Sequence, residues 1–201
     1  MAQTSPPPHL PPRADQFSVL GWDLIENSPA LQCHYECSRF GAFTETITWE
    51  APISDVHDYL HGPGQAIGDL LTVAVGVSYY KAGAASRITL PPLSKAGQAM
   101  GKALYTEGLA EFFVRAHLPY PADIEFLGDV LDTSPAPFVT PAPGPALVAF
   151  GGGKDSYVAK AIIEAQSDEV SLCSVVLGDA VRSALQATAP SPLLFLKRTL
   201  D

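Results

Sequence analysis

Residues 146–156 read Ala-Leu-Val-Ala-Phe-Gly-Gly-Gly-Lys-Asp-Ser, and this stretch decides the fold class of the C-terminal part of the chain. The apolar run 146–150 predicts a fully buried β-strand, which passes directly into three glycines. Residues 155–165 then predict a helix, and residues 172–177 and 193–197 predict two further strands. The order strand, loop, helix, strand is typical of an α/β protein with a parallel sheet.

The glycine-rich turn has the composition of a phosphate-binding loop. Glycines allow positive φ angles and let the backbone approach an anion closely. The free N–H groups of the first helical turn, together with the helix dipole, favour negative charge. Lys154 adds a cation and Ser156 a hydroxyl group. A Walker A loop is excluded because Asp155, and not Ser or Thr, follows the lysine.

The segment Gly-Gly-Gly-Lys-Asp-Ser resembles the Ser-Gly-Gly-x-Asp-Ser signature of the ATP-pyrophosphatase (PP-loop) superfamily, with Gly151 in place of the leading serine. This resemblance implies an adenine nucleotide alpha hydrolase-like sheet, ATP and Mg²⁺ as cofactors, and adenylation of an acyl or carbonyl oxygen. It assigns ATP binding to six consecutive residues: Gly151, Gly152, Gly153, Lys154, Asp155 and Ser156.

Two further segments extend the likeness to one family. Gly-Val-Ser-Tyr-Tyr-Lys-Ala at 76–82, Ala-Leu-Tyr-Thr-Glu-Gly-Leu-Ala-Glu-Phe at 103–112, and the loop at 150–156 occur in this order. From about Phe40 onward the chain resembles the UDP-N-acetyl-alpha-D-muramoyl-L-alanyl-L-glutamate epimerase family. The resemblance implies an isomerase of peptidoglycan precursor synthesis. Using ATP and Mg²⁺, it would invert the terminal L-Glu of a UDP-linked muropeptide and release AMP and diphosphate. The alternatives are another PP-loop adenylating ligase or thiolase, or an inactive nucleotide-binding fragment.

The family resemblance also suggests site residues outside the loop. It implies that Tyr79, Tyr80 and Lys81 bind the substrate, and that Lys81 and Glu111 act in catalysis together with the loop's own Lys154 and Asp155. A helix-terminal lysine beside two interfacial tyrosines is the alternative interpretation of the first group.

Two acidic residues of one predicted helix form a second candidate. Glu107 and Glu111 are four residues apart, where like charges repel and one carboxyl group can become a usable acid or base. The alternative is a solvated helix face.

Two other groups of reactive residues are weaker candidates. Cys33 and Cys37 are predicted to be buried small hydrophobes, because two cysteines on one strand cannot flank a substrate. His57 and His61 have a spacing compatible with a metal, yet the sequence supplies no third ligand. The metal ligands are therefore unknown.

The remaining sequence predicts an α+β N-terminal region followed by an incomplete α/β PP-loop sheet. Strands are expected over 17–49 and helices over 65–80 and 94–117, the second capped by Ser94. Only three strands fit after the last linker proline, so the sheet is expected to be unfinished. The predicted parts are a disordered proline-rich lead-in (1–16), an α+β domain (17–132), a proline-rich linker (133–145) and the first part of the ATP-binding domain (146–201).

Composition limits the possible partners. The 201 residues are 47% hydrophobic and carry a formal net charge of −9, which disfavours nucleic acid as a partner. The longest apolar stretch, 67–77, is interrupted by Asp69 and is too short to span a membrane. Residues 1–8 lack the basic and apolar regions of a signal peptide, so none is expected, and three cysteines suit a reducing compartment. The expected location is the cytoplasm, and the sequence does not specify an oligomeric state.

Overall fold

The computed structural model describes residues 13–62, 64–120, 123–132, 145–167 and 169–200. In chain order the strands in these ranges are β1 (Gln16–Leu24), β2 (Ala30–Cys37), β3 (Gly41–Trp49), β4 (Arg87–Thr89), β5 (Leu93–Ser94), β6 (Glu125–Leu127), β7 (Val130–Leu131), β8 (Ala146–Ala149), β9 (Val170–Val176) and β10 (Leu193–Leu200). The α-helices are α1 (Ile53–Leu60), α2 (Gln65–Val75), α3 (Val77–Gly83), α4 (Lys95–Tyr105), α5 (Ala110–Arg115), α6 (Lys154–Glu164) and α7 (Asp179–Thr188). Among the described residues, no helix combines the length and the apolar character that crossing a membrane requires.

The chain divides into two compact units that differ from the predicted domains. The first unit comprises Met1–Gly21, His34–Phe43 and Ala66–Asp132, and the second takes in the rest, including Trp22–Cys33 and Thr44–Gln65. These last two segments were expected in the N-terminal domain. The reason that Thr44–Gln65 belongs to the second unit is that β3 pairs with β10. Residues 1–12 of the predicted lead-in and 133–144 of the predicted linker lie outside the described residues.

The predicted lead-in ends earlier than expected. Ala14 is buried and its N–H donates to the carbonyl of Gly83 at 2.8 Å. The Arg13 guanidinium donates from Nε to the carbonyl of Ala84 at 2.6 Å. Strand β1 follows at once, so residues 13–16 belong to the folded part of the first unit.

The first unit is built around an aromatic core. Strand β1 pairs in parallel with β4, and β4 pairs in parallel with β6. Among the fully buried side chains are Phe17, Tyr35, Tyr80, Tyr105 and Phe113. Each of the three tyrosine hydroxyls in this group donates to a backbone carbonyl at 2.9–3.1 Å, so burial leaves no phenol without a partner.

The helix predicted over 65–80 is interrupted. Helix α2 ends at Val75 and α3 begins at Val77, with Gly76 between them. A Cβ atom at Gly76 would lie 2.7 Å from Tyr35 Cε1 and 2.8 Å from the Tyr105 hydroxyl. Only glycine can occupy this position without displacing two buried rings, so long-range packing sets the residue at the break.

The helix predicted over 94–117 is also divided, although its predicted start is confirmed. Ser94 caps α4 by accepting a hydrogen bond from the Gly97 N–H at 3.1 Å. The helix ends at Tyr105, and the following C-cap residue, Thr106, has a φ of −111° and a ψ of −85°. The Thr106 hydroxyl donates to the Lys102 carbonyl at 2.7 Å, and a 3-10 helix (Glu107–Leu109) then leads into α5.

The second unit contains a mixed sheet, and the predicted mixed α/β composition is confirmed. Strands β8, β9 and β10 are parallel neighbours in this order, and β10 pairs antiparallel with β3. Helix α6 connects β8 to β9 and α7 connects β9 to β10. The prediction that residues 146–150 are fully buried is wrong: Val148 and Phe150 are buried, but Leu147 is 63% exposed. The difference arises because the two helices cover one face of these strands.

Candidate functional site

The glycine loop connects β8 to α6 as predicted. The N–H of Phe150 still belongs to the sheet and donates to the Cys173 carbonyl at 2.7 Å. The chain then turns through Gly152, whose φ of +75° lies in the left-handed region that favours glycine. The N–H of Gly151 donates to the Ser156 hydroxyl at 3.0 Å, and this bond closes the loop over the first turn of the helix.

The first turn of α6 has no side-chain cap. Its N-cap residue is Gly153, in an extended conformation, whereas α4 is capped by the hydroxyl of Ser94. Among the described residues, the backbone N–H groups of 152–155 have no acceptor. Four exposed donors at the positive end of a helix form a preorganised cradle for an anion.

The charges near the loop strengthen this interpretation. Lys154 and Asp155 are exposed, and neither forms an ion pair with any residue that the structure describes. Every other lysine and arginine in the described part of the second unit has an acidic partner: Lys160 with Glu164, Arg182 with Glu50, Lys197 with Asp179, and Arg198 with Glu45. The Lys154 ammonium group is therefore free to pair with a ligand.

A second loop at the same edge of the sheet was not predicted to be part of the site. Because β8 and β9 are parallel, the loops that follow them lie at the same edge. Asp179 follows β9 and its carboxylate lies 3.8 Å from the Lys197 ammonium. The signal in the sequence is a second strand that ends in glycine and aspartate, Gly178-Asp179, before a helix.

The tyrosines predicted to bind substrate lie in the core of the first unit. Tyr79 is 8% exposed and stacks on Tyr35, with ring centroids 5.1 Å apart. Tyr80 is 1% exposed and its hydroxyl donates to the Ala85 carbonyl. Burial raises the pKa of Tyr80 to about 12, so the phenol stays neutral over the physiological range. In this structure both rings serve packing, and only the neighbouring Lys81 is exposed.

The predicted pair of glutamates does not share one helix. Glu107 lies in the 3-10 helix and Glu111 in α5. The Glu111 carboxylate lies 3.0 Å from the Arg115 guanidinium, and both side chains are about four-fifths exposed. This geometry agrees with the alternative of a solvated helix face. The catalytic roles suggested for Glu111 and Lys81 stay predictions.

The two cysteines and the two histidines are the weaker candidates for a functional site. Cys33 and Cys37 are buried and neither forms a disulfide, which confirms their prediction as small core residues. The Nε2 atom of His57 lies 2.9 Å from the Ser28 carbonyl oxygen. Within the described ranges, no group of three or more His, Cys, Asp or Glu side chains is arranged to hold a metal.

Comparison with known proteins gives two consistent results. The family model described as the MurL N-terminal domain matches residues 9–201. A UDP-N-acetyl-alpha-D-muramoyl-L-alanyl-L-glutamate epimerase of a Micromonospora species is 35% identical over 158 residues, which cover 78% of this chain and 35% of the relative. The epimerase of the same name from Salinispora tropica is 41% identical over 120 residues, which cover 58% of this chain and 26% of the relative. The matches thus span about a third or less of these relatives, and no solved structure matches significantly.

Proposed function

Because the chain belongs to the family of the MurL N-terminal domain, we propose that it supplies the ATP-binding loop of a peptidoglycan-precursor epimerase. The proposed reaction inverts the terminal L-Glu of a UDP-linked muramoyl-L-alanyl-L-glutamate to D-Glu, with ATP and Mg²⁺. The observation that carries this proposal is the uncapped glycine loop at the start of α6. The names of the two relatives support the substrate class.

The loop suits the pyrophosphate of ATP on three grounds. Its four open N–H groups, at 152–155, are donors that a phosphate chain can use. Gly153 has no atom within 4 Å of the position that a Cβ would occupy, so the backbone is accessible from that side. The exposed Lys154 supplies a positive charge at the first helical position.

The chemistry proposed for this site overcomes the low acidity of the α-proton of glutamate. A carbanion beside a free carboxylate would place two negative charges next to each other. Attack of the carboxylate oxygen on the α-phosphorus of ATP releases pyrophosphate and removes that charge. A base can then take the α-proton and an acid can return it on the opposite face. Water finally cleaves the acyl-adenylate to the D-glutamate carboxylate and AMP.

The loop residues could hold Mg²⁺ together with the phosphates of the nucleotide, and not by themselves. A magnesium ion that accompanies phosphates needs one or two carboxylates and completes its shell with phosphate oxygens and water. The loop offers the exposed carboxylate of Asp155 for this purpose. The bound ion would neutralise charge on the leaving pyrophosphate, and Lys154 would do the same from the protein side.

Calorimetry with ATP and Mg²⁺ on the 201-residue chain tests the loop. We expect Lys154→Ala to weaken binding by about tenfold or more, because it removes a charge-assisted contact. Lys95→Ala is the matched control, since Lys95 is exposed and is the first residue of α4, whose N-terminus is already capped. Equal affinities of the parent and Lys154→Ala, or an equal loss in both variants, would contradict the proposed site.

The reaction itself needs the remaining length of the family proteins. We would join residues 1–201 to the C-terminal portion of the Micromonospora epimerase and supply the UDP-linked L-glutamate dipeptide with ATP and Mg²⁺. Inverted glutamate with AMP and pyrophosphate is the expected result. AMP with an amide or thiolated product would instead indicate a PP-loop ligase or thiolase.

A further inference from the structure

The parallel strands of the second unit have one covered and one uncovered face. Ile163 of α6 and Leu185 of α7 pack on the face that carries Val148, Leu172 and Phe195. The strand register places the alternate side chains on the opposite face. We name this opposite surface the bare face; its members are Leu147, Ala149, Ser171, Cys173, Val175, Leu194 and Leu196.

The bare face is largely apolar, and three of its large side chains are strongly exposed. Leu147 and Val175 are each 63% exposed, and Leu194 is 50% exposed. They lie on three adjacent strands, so they form one continuous patch and not scattered surface residues. Parallel sheets are normally covered on both faces, and contiguous apolar patches mark contact surfaces.

A further β-strand can pair with this sheet only at an edge strand that has no partner on one side. On one side, β10 is paired with β3 from Leu196 opposite Trp49 to Leu200 opposite Glu45. On the other side, β8 pairs with β9 and with no other strand of the described residues. The open edge is therefore that of β8, the strand that leads into the glycine loop.

We propose that the bare face and the open edge of β8 bind the C-terminal portion of the family proteins, as a parallel strand with the helix that precedes it. The two relatives have well over half of their length outside the matched stretches, and the matching family model describes an N-terminal domain, so the family proteins have further chain that could occupy this surface. A strand added beside β8 reverses the direction in which the sheet grows. Since crossover connections are right-handed, the helix of that connection must lie on the face opposite α6 and α7.

This proposal concerns an interface and is independent of what the loop binds. If the loop also binds ATP, the added strand would flank residues 151–153 at the switch point of the sheet, where ligands of such sheets bind. The occupant would then form one wall of the nucleotide site.

Thiol labelling of cysteines introduced on the bare face tests the interface, with Cys33 and Cys37 left buried in the core. Leu147→Cys and Val175→Cys would be made with Cys173→Ala, and Val114→Cys is the matched control, because Val114 on α5 is also 63% exposed. Each would be labelled in the 201-residue chain and in the same chain joined to the C-terminal portion of the Micromonospora relative. We expect labelling at 147 and 175 to slow by about tenfold or more on joining, with labelling at 114 unchanged.

Two labelling results would overturn the proposal. One is equal labelling at 147 and 175 in both proteins. The other is protection that already occurs in the 201-residue chain and rises with its concentration, which would identify a second copy as the occupant. Adding Lys154→Ala should leave the labelling pattern unchanged, so failure of ATP binding is distinguishable from failure of the interface.

A second measurement does not depend on the joined protein. Val175→Lys should leave the unfolding temperature of the 201-residue chain unchanged, because the side chain is exposed there. The same change should weaken binding of the 201-residue chain to the separately expressed C-terminal portion of the Micromonospora relative by about tenfold or more. Binding at the parent affinity would overturn the proposal.

Discussion

A buried ion pair between β3 and β10 gives the sharpest prediction about stability. Glu45 is 0% exposed, and its two carboxylate oxygens accept from Nε and Nη2 of Arg198, the second at 3.0 Å. The Arg198 side chain is 20% exposed. In the register Glu45 lies opposite Leu200 and Arg198 opposite Ile47, so the pair is diagonal and spans the antiparallel ladder. It should therefore stabilise both the pairing and its register.

The unequal burial of the two partners sets the size of each effect. Arg198→Met leaves a carboxylate with no solvent access and should cost about 3–5 kcal/mol. Glu45→Gln leaves a guanidinium that water still reaches, so we expect a smaller loss of about 1–3 kcal/mol. Replacing both residues by Met removes both charges and should bring the free energy of unfolding back to within about 1 kcal/mol of the parent.

Urea unfolding of the parent and these three variants at neutral pH measures these differences in the free energy of unfolding. Arg115→Met is the control, because its pair with Glu111 is about four-fifths exposed and should be worth less than about 1 kcal/mol. The reasoning is refuted if Arg198→Met costs no more than Arg115→Met, or if the double variant is as unstable as Arg198→Met alone.

Three further predictions concern the loop and two perturbed groups. Gly152→Ala should lower the free energy of unfolding by about 1–2 kcal/mol in urea, because φ is +75° there, and its Cβ would lie 2.9 Å from Leu185. Gly153→Ala should lower it by only about 0.5–1 kcal/mol, because the added Cβ meets no atom within 4 Å and the remaining cost is that of alanine as a poorer N-cap. Burial raises the pKa of Tyr80 to about 12, so the unfolded chain loses the phenol proton at a lower pH than the folded chain does. The unfolding temperature should therefore fall as the pH rises from about 10 to about 12, and it should fall less in Tyr80→Phe. Burial also raises the pKa of Cys173, so its alkylation rate should reach half-maximum at a higher pH than that of free cysteine.

The sequence predicts best those features whose causes are local. Strands were predicted over 17–49 from patterns that lie within single segments, and β3 (Gly41–Trp49) confirms this prediction for its part of the chain. Ser94 caps a helix through an amide three residues away, so its role can be inferred without the fold. The glycine loop combines a strand, glycines and a helix start within eleven residues, and its position between β8 and α6 is confirmed.

Features that depend on residues far apart in the sequence were missed, because no local pattern connects such residues. The need for glycine at residue 76 depends on the rings of Tyr35 and Tyr105, which no local pattern connects to it. The ion pair of Glu45 and Arg198 joins residues 153 positions apart. The burial of Tyr79 and Tyr80 likewise follows from the aromatic core, although a polar tip next to a lysine suggested a surface site.

The starts of helices α4 and α6 differ in whether a side chain of the protein occupies their first-turn amides. Helices α4 and α6 both begin with an exposed lysine, Lys95 and Lys154. In α4 the preceding Ser94 uses its own hydroxyl to occupy a first-turn amide. In α6 the preceding Gly153 has no side chain, and Ser156 binds the amide of Gly151, outside the helix. The exposed amides of the first turn of α6 therefore keep their hydrogen-bonding capacity, and an external anion can accept from them.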